Sequence, residues 1–138
     1  MEDFYSLQTF DFKRIRGDTI NLKFNFRDEN NNPIIILNWN VKFSMRDPIS
    51  NQIILPKSRT VGPPAINNGI YYKVDTNSSI IGITQDNELA VILNYSETEL
   101  LPEGVYPFDL EFEITDIFTA KFTVVKGNLI LSEEVTPS

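Results

Sequence analysis

"TINLKFNFR", residues 19–27, decides the fold. Ile20, Leu22, Phe24 and Phe26 fall on alternate positions, with Asn21, Lys23, Asn25 and Arg27 between them. Side chains alternate faces with period two in a strand, whereas a helix needs apolar spacings of three and four; this stretch is therefore a strand with one buried face. The same period runs through "WNVKFSMR", residues 39–46, where Trp39, Val41, Phe43 and Met45 alternate with Asn40, Lys42, Ser44 and Arg46. Trp39 shares its face with three core-type residues, so it reads as a core tryptophan and not as a sugar-stacking platform.

Outward from these two strands the turns announce themselves. "DENNNP", residues 28–33, joins them through turn formers, and the following "IIIL" is a short strand or a buried crossing. Asp28, Asn30 and Asn32 have the spacing that opens a calcium loop, but Pro33 stands where that loop needs glycine and Trp39 where it needs a bidentate glutamate. An Asn-rich turn is the reading that survives. Residues 53–68 carry three prolines and a glycine among Ile53, Ile54 and Val61, which predicts an edge strand and a long exposed loop. "GIYYKV" and "ELAVILNY" are strand-like, and Ile80, Ile81 and Ile83 between them predict a further short strand.

One segment is helical in character. In "SETELLPEG", residues 96–104, Ser96 is the expected N-cap and Glu99 completes a capping box, giving a short helical turn over 96–101 that Pro102 and Gly104 stop. "VYPFDLEFEIT" then sends Tyr106, Phe108, Leu110, Phe112 and Ile114 inward and Asp109, Glu111 and Glu113 outward. "TAKFTVV" and "NLILS" close the set, with a bulge or bend at Lys126-Gly127. Such strand spacing means an all-β sandwich or barrel. Leu100, Pro102, Gly104 and Tyr106 have the layout of a tyrosine corner, in which a phenol near a strand start bonds to backbone just upstream, and this favours the sandwich.

With 138 residues and 41% hydrophobic content, ten of the residues being Phe, the chain fits one domain over 1–138. Its ordered core is expected over about 9–132, with residues 1–8 and 133–138 as docking arms. A net charge of -7 leaves no basic surplus to release counterions from a phosphate backbone, so nucleic acid is not an expected partner. Cysteine and histidine are both absent, which removes disulfides, thiolate metal sites and the commonest general base. No cofactor is expected. The acidic start "MEDFYSLQTF" and the lack of a bilayer-length apolar run give no expectation of a membrane partner.

Three features invite a functional reading. The outward row Asp109, Glu111 and Glu113 resembles an acid/base set only in residue type: a general acid and base need environments that separate their pKa values. As a solvated strand face it would take Lys121 and Thr123 as cross-strand partners. Arg16-Gly17-Asp18 has the letters of an adhesion tripeptide, yet Thr19 already begins the strand, so Gly17 and Asp18 read as the corner leading into it. Tyr71 and Tyr72 must point to opposite faces, and one of them, with the Pro63-Pro64 loop, is the candidate contact surface.

Taken together, "RGDTINLKFNFRDENNNPIIIL", "WNVKFSMRDPISNQII", "LLPEGVYPFDLEFEI" and "KGNLILSEEVT" resemble a bacteriophage structural module. The chain is similar to the immunoglobulin-like N-terminal domain of phage baseplate upper proteins and to small tail or head accessory proteins. The carrying positions are Gly17-Asp18-Thr19, residues 28–37, residues 101–106 and Val135-Thr136. The resemblance implies an all-β fold, a single immunoglobulin-like antiparallel β-sandwich of seven to nine strands. It further implies a non-enzymatic virion protein, assembled in the host bacterial cytoplasm. Such a protein attaches in several copies to tail, baseplate or capsid proteins through edge strands, loops and termini. A host-surface or carbohydrate-binding module of a phage particle is the alternative, and would rest on Tyr71 or Tyr72.

Overall fold

Within residues 19–27 the stretch Ile20–Asn25 forms the strand that alternation requires, with Ile20, Leu22, Phe24 and, just beyond it, Phe26 buried and the polar residues between them turned outward. The computed structural model describes residues 8–62, 65–75, 82–115 and 119–133. Among these, the elements in chain order are β1 (Gln8–Ile15), β2 (Ile20–Asn25), β3 (Asn40–Arg46), β4 (Ile53–Thr60), β5 (Ile66–Asn68), β6 (Ile70–Tyr71), β7 (Glu88–Leu93), α1 (Tyr95–Thr98), β8 (Gly104–Thr115) and β9 (Thr119–Ser132). The predicted strand at Ile80 and Ile81, and the loop prolines Pro63 and Pro64, lie outside the described residues. Ile83 is buried without belonging to a strand.

Two sheets face each other. The larger has the order β1-β9-β8-β3-β4-β5 and the smaller β2-β7-β6. A central β9-β8-β3 trio extended by β4 and β5, opposite a β2-β7-β6 trio, is the strand arrangement of an immunoglobulin-like sandwich whose front sheet is widened as in variable domains. One pairing departs from the expected antiparallel plan, since β1 runs parallel to β9. Its cause is the corner at Arg16 to Asp18. Gly17 takes φ 88, a left-handed conformation that a side chain resists, and the chain leaves the larger sheet there to enter the smaller one as β2. Asp18 N donates to Ile15 O at 3.3 Å and the Thr98 hydroxyl donates to Asp18 O at 3.4 Å, so the corner is held by its backbone.

Aromatic rings bridge the two layers. Phe24 of the small sheet meets Phe10, Phe12 and Phe108 of the large one at centroid separations of 5.8, 5.7 and 6.1 Å. Trp39 and Phe26 both contact Phe112, at 5.5 and 5.1 Å, so Trp39 packs against the core as expected. Residues 34–37 form a crossing and not a strand, buried only at Ile36, which donates its amide to Asp86 O at 3.2 Å, while Ile35 is 62% exposed.

Three local expectations are corrected. The helix starts earlier: Asn94 is the N-cap and Glu97, not Glu99, returns to it, its carboxylate accepting the Asn94 amide at 2.8 Å. Ser96 is inside the helix. The bulge lies between Leu110 and Glu111, where the partner register skips from Val125 to Thr123 and leaves Val124 as the extra residue; Lys126-Gly127 continues one unbroken β9. Gly127 is small because β1 approaches it, and a Cβ there would stand 1.9 Å from Phe10 O. Finally, residues 53–60 are not merely an edge followed by loop. β4 pairs with β3 along its length, while β5 covers only Arg59 and Thr60, which leaves Pro56 in the half where the neighbouring edge is open.

Candidate functional site

Because Tyr106, Phe108, Leu110 and Phe112 point into the sandwich, the residues between them form the outer surface of the large sheet. Register fixes which outer residues stand level. Ser44, Asp109, Lys126 and Thr9 form one row across β3, β8, β9 and β1. Pro107, Asn128 and Asp11 form the next, with Arg46 beside Pro107 because Met45 pairs with Phe108. On one side of these rows lie Val105 and Ile130, on the other Lys42, Glu111 and Thr123, then Asn40, Glu113 and Lys121.

Opposite charges alternate across this face. Arg46 Nε lies 4.0 Å from Asp109 and Lys121 Nζ 3.8 Å from Glu113, which also accepts the Asn40 side-chain amide at 3.1 Å. Lys121 and Thr123 are therefore the cross-strand neighbours that alternation predicts for Glu113 and Glu111. Asn128 donates to Asp11 at 3.1 Å. Between these groups runs a shallow groove of about 460 Å³, bordered by Asp11, Arg46, Asp109, Lys126 and Asn128 over a floor at Pro107 and Gly127. A second depression, about 130 Å³, lies near Lys42, Thr60, Glu111 and Glu113. Each β8 carboxylate thus stands level with a cation or a polar hydrogen donor.

The inner face of β4 holds what the sequence conceals. Leu55, Lys57 and Arg59 alternate inward, and Lys57 and Arg59 are only 5% and 9% exposed. Lys57 Nζ donates to both oxygens of Glu97, at 2.7 and 2.8 Å, tying the large sheet to α1. Arg59 Nη1 donates to Asp75 at 2.6 Å and to Ile70 O at 3.2 Å, and its guanidinium lies 4.3 Å from the centre of the Tyr72 ring. These pairs tie β4 to α1 and to the segment that follows β6. Their partners are 40 and 16 residues away along the chain, so no local pattern announces them.

The remaining predicted residues are placed as follows. Tyr72 is fully buried with its hydroxyl donating to Trp39 O at 2.8 Å, and burial raises its pKa far above the phenol range. It is a core residue and not a contact tyrosine. Tyr71 is half-buried beside Ala90. Tyr106 donates to Pro102 O at 2.6 Å, which is the tyrosine corner; Gly104 opens β8 two residues before it. Arg16 is tied to Glu133 at 3.1 Å and reaches Leu101 O, so the Arg-Gly-Asp letters belong to a fixed corner. Asp28 spends its carboxylate on the amides of Asn30 and Asn32, both at 2.9 Å, as an Asx turn. Among the described residues no group of three or more acidic, His or Cys side chains is placed to hold a metal. No helix among them is long and apolar enough to cross a membrane.

No protein-family model and no curated protein sequence matches the chain. Among solved structures it is similar to a family 123 glycoside hydrolase from Clostridium perfringens, described in terms of glycolipid glycan hydrolysis, with a TM-score of 0.38 and 16% identity. That similarity covers 99% of this chain and 26% of the hydrolase chain, so the chain spans about a quarter of its length. A superposition that loose carries no argument about activity.

Proposed function

We propose that this chain is a non-enzymatic structural protein of a bacteriophage virion. It acts as an adaptor that docks on tail, baseplate or capsid proteins through the outer face of its larger sheet. The observation that carries the docking reading is the charge-alternating face around Asp109 and Lys126, with its shallow groove and the apolar margin at Val105. Side chains arranged this way recognise a surface by electrostatic and shape complementarity, which selects partners more than it adds affinity. Multiple copies on a particle convert weak single contacts into stable attachment. The virion setting rests on the sequence pattern that runs from Gly17-Asp18-Thr19 to the Tyr106 corner.

The test is binding to separated virion proteins by the purified chain, followed by the same measurement on Lys42→Glu and Lys126→Glu. Binding that weakens in these variants, with no hydrolytic activity lost in Glu111→Gln or Glu113→Gln, is the expected result. A chain that co-purifies with no particle and binds no capsid or tail protein overturns the proposal. Glycan-array binding abolished by Tyr71→Ala would instead identify a host-surface module.

A further inference from the structure

We infer that the outer face of the larger sheet pairs with the same face of a second copy of this chain, about a two-fold axis running between β8 and β9 parallel to the strands. The inference rests on the reading of this face as a docking surface and concerns the free chain: the dimer is reversible, and virion proteins displace the second copy from the same face. Its basis is the order of charge across the four strands. β3 carries Lys42 and Arg46, β8 carries Asp109, Glu111 and Glu113, β9 carries Lys121 and Lys126, and β1 carries Asp11 with Lys13 further toward the rim. Sign therefore alternates from strand to strand through β3, β8, β9 and β1 at the level of the groove.

A two-fold axis between the middle pair lays β8 over β9 of the second copy and β3 over β1, so each column meets its opposite. Because the axis is parallel to the strands, rows keep their level. Asp109 and Lys126 are direct register partners, so Asp109 of one protomer faces Lys126 of its partner, twice by symmetry. At the neighbouring level Arg46 faces Asp11 and Pro107 faces Asn128. Further along, Val105, 48% exposed, covers Ile130 of the second copy, and at the other end Glu113 faces Lys121. Two twisted sheets packed face to face cross at about 30°, so register is kept best close to the axis, where Asp109 and Lys126 lie.

Extent supports the same partner. Nine residues from Val105 to Glu113 and four strands span roughly 30 Å by about 19 Å, a footprint of about 570 Å² on each copy. Two such faces bury about 1,100 Å² or slightly more, at the lower limit for a specific interface, which fits a weak, reversible dimer. The chain as a whole carries -7, and this face, where five cations stand against four carboxylates, is where two acidic copies meet with least repulsion.

Sedimentation velocity over a wide concentration range tests the pairing, on the wild type and on a charge-swap set. The wild type is expected to dimerise reversibly, and Asp109→Lys and Lys126→Asp are each expected to weaken the dimer at least about tenfold by setting like charges face to face. Mixing those two variants, or combining both changes in one chain, restores opposite charges across the axis and recovers the dimer. Circular dichroism confirms that every variant is folded. A wild type that stays monomeric, or a dimer indifferent to the single reversals, overturns the inference. If the monomer still binds virion proteins, the two-fold pairing fails while the adaptor reading stands; if neither occurs, both fail.

Discussion

Replacing Glu97 by Gln removes one charge from the buried pair that joins β4 to α1 and leaves the shape nearly unchanged. Lys57 would keep its ammonium in a position where only 5% of the side chain reaches solvent. Breaking a buried pair from one side costs about 3–5 kcal/mol, because the other charge is left without compensation. Glu97 is 27% exposed, so water partly replaces it, and about 2–3 kcal/mol is the expected loss. That is a substantial fraction of the roughly 5–15 kcal/mol that holds a domain together. Lys57→Met is the informative contrast. Its stem keeps the packing against Gly69, where a Cβ would stand 2.6 Å from Lys57 Cδ, and Glu97 is left near water with the Asn94 amide still bound. Removing the buried charge itself is expected to cost less than about 1 kcal/mol. Urea unfolding measures both variants and their double, with unchanged m-values as the condition for comparing midpoints. If Lys57→Met destabilises as much as Glu97→Gln, the asymmetry argument fails, and if both are silent the pair is not buried in solution.

Gly127→Ala is expected to lose about 2–4 kcal/mol, since its methyl would overlap Phe10 O, and hydrogen exchange should locate the loss in β1. Tyr106→Phe removes the 2.6 Å bond to Pro102 O and should cost about 1–2 kcal/mol in denaturant unfolding, because the acceptor is only partly buried. Glu88 gives a pH signature: burial alone would raise its pKa, but the Thr84 amide, the Lys23 ammonium and the Gln85 amide together hold it below its ordinary 4.5. The folded state then binds the proton less readily than the unfolded chain. Its stabilisation is complete above pH 4.5 and is lost as pH falls through the lower folded value, and Lys23→Met should flatten that fall in acid titrations of the unfolding midpoint.

Where alternation was two-sided and clean, sequence and structure agree residue by residue. β2 and β3 bury Ile20, Leu22, Phe24, Val41, Phe43 and Met45 as their period of two requires, and the Tyr106 corner follows from spacing within one short segment. The tail of β8 agrees as well, down to Glu113 beside Lys121. Legibility fails where polar residues face inward. On β4 the inward positions are Leu55, Lys57 and Arg59, so the segment shows no apolar alternation, and its prolines and glycine leave only the edge-strand reading. The helix cap is displaced by two residues: Asn94 caps in place of Ser96, the three-residue spacing of the capping box then puts Glu97 where Glu99 was expected, and Lys57 binds the same carboxylate from β4. Tyr71 and Tyr72 were equivalent as letters, and only the pocket formed by Arg59, Asp75 and Trp39 makes Tyr72 the buried one.

By itself the sequence determined an all-β sandwich, its main core faces and its corner turns, because side-chain alternation, glycine freedom and local hydrogen bonds act within a few residues. Tertiary structure alone decided which sheet each strand joins, the parallel docking of β1 on β9, the ionic closure by Lys57 and Arg59, and the level at which Asp109 meets Lys126. Those outcomes depend on partners far apart along the chain. A charge becomes an interior residue only when its counter-charge is brought to it, and a face acquires its pattern of sign only when four strands lie side by side in register.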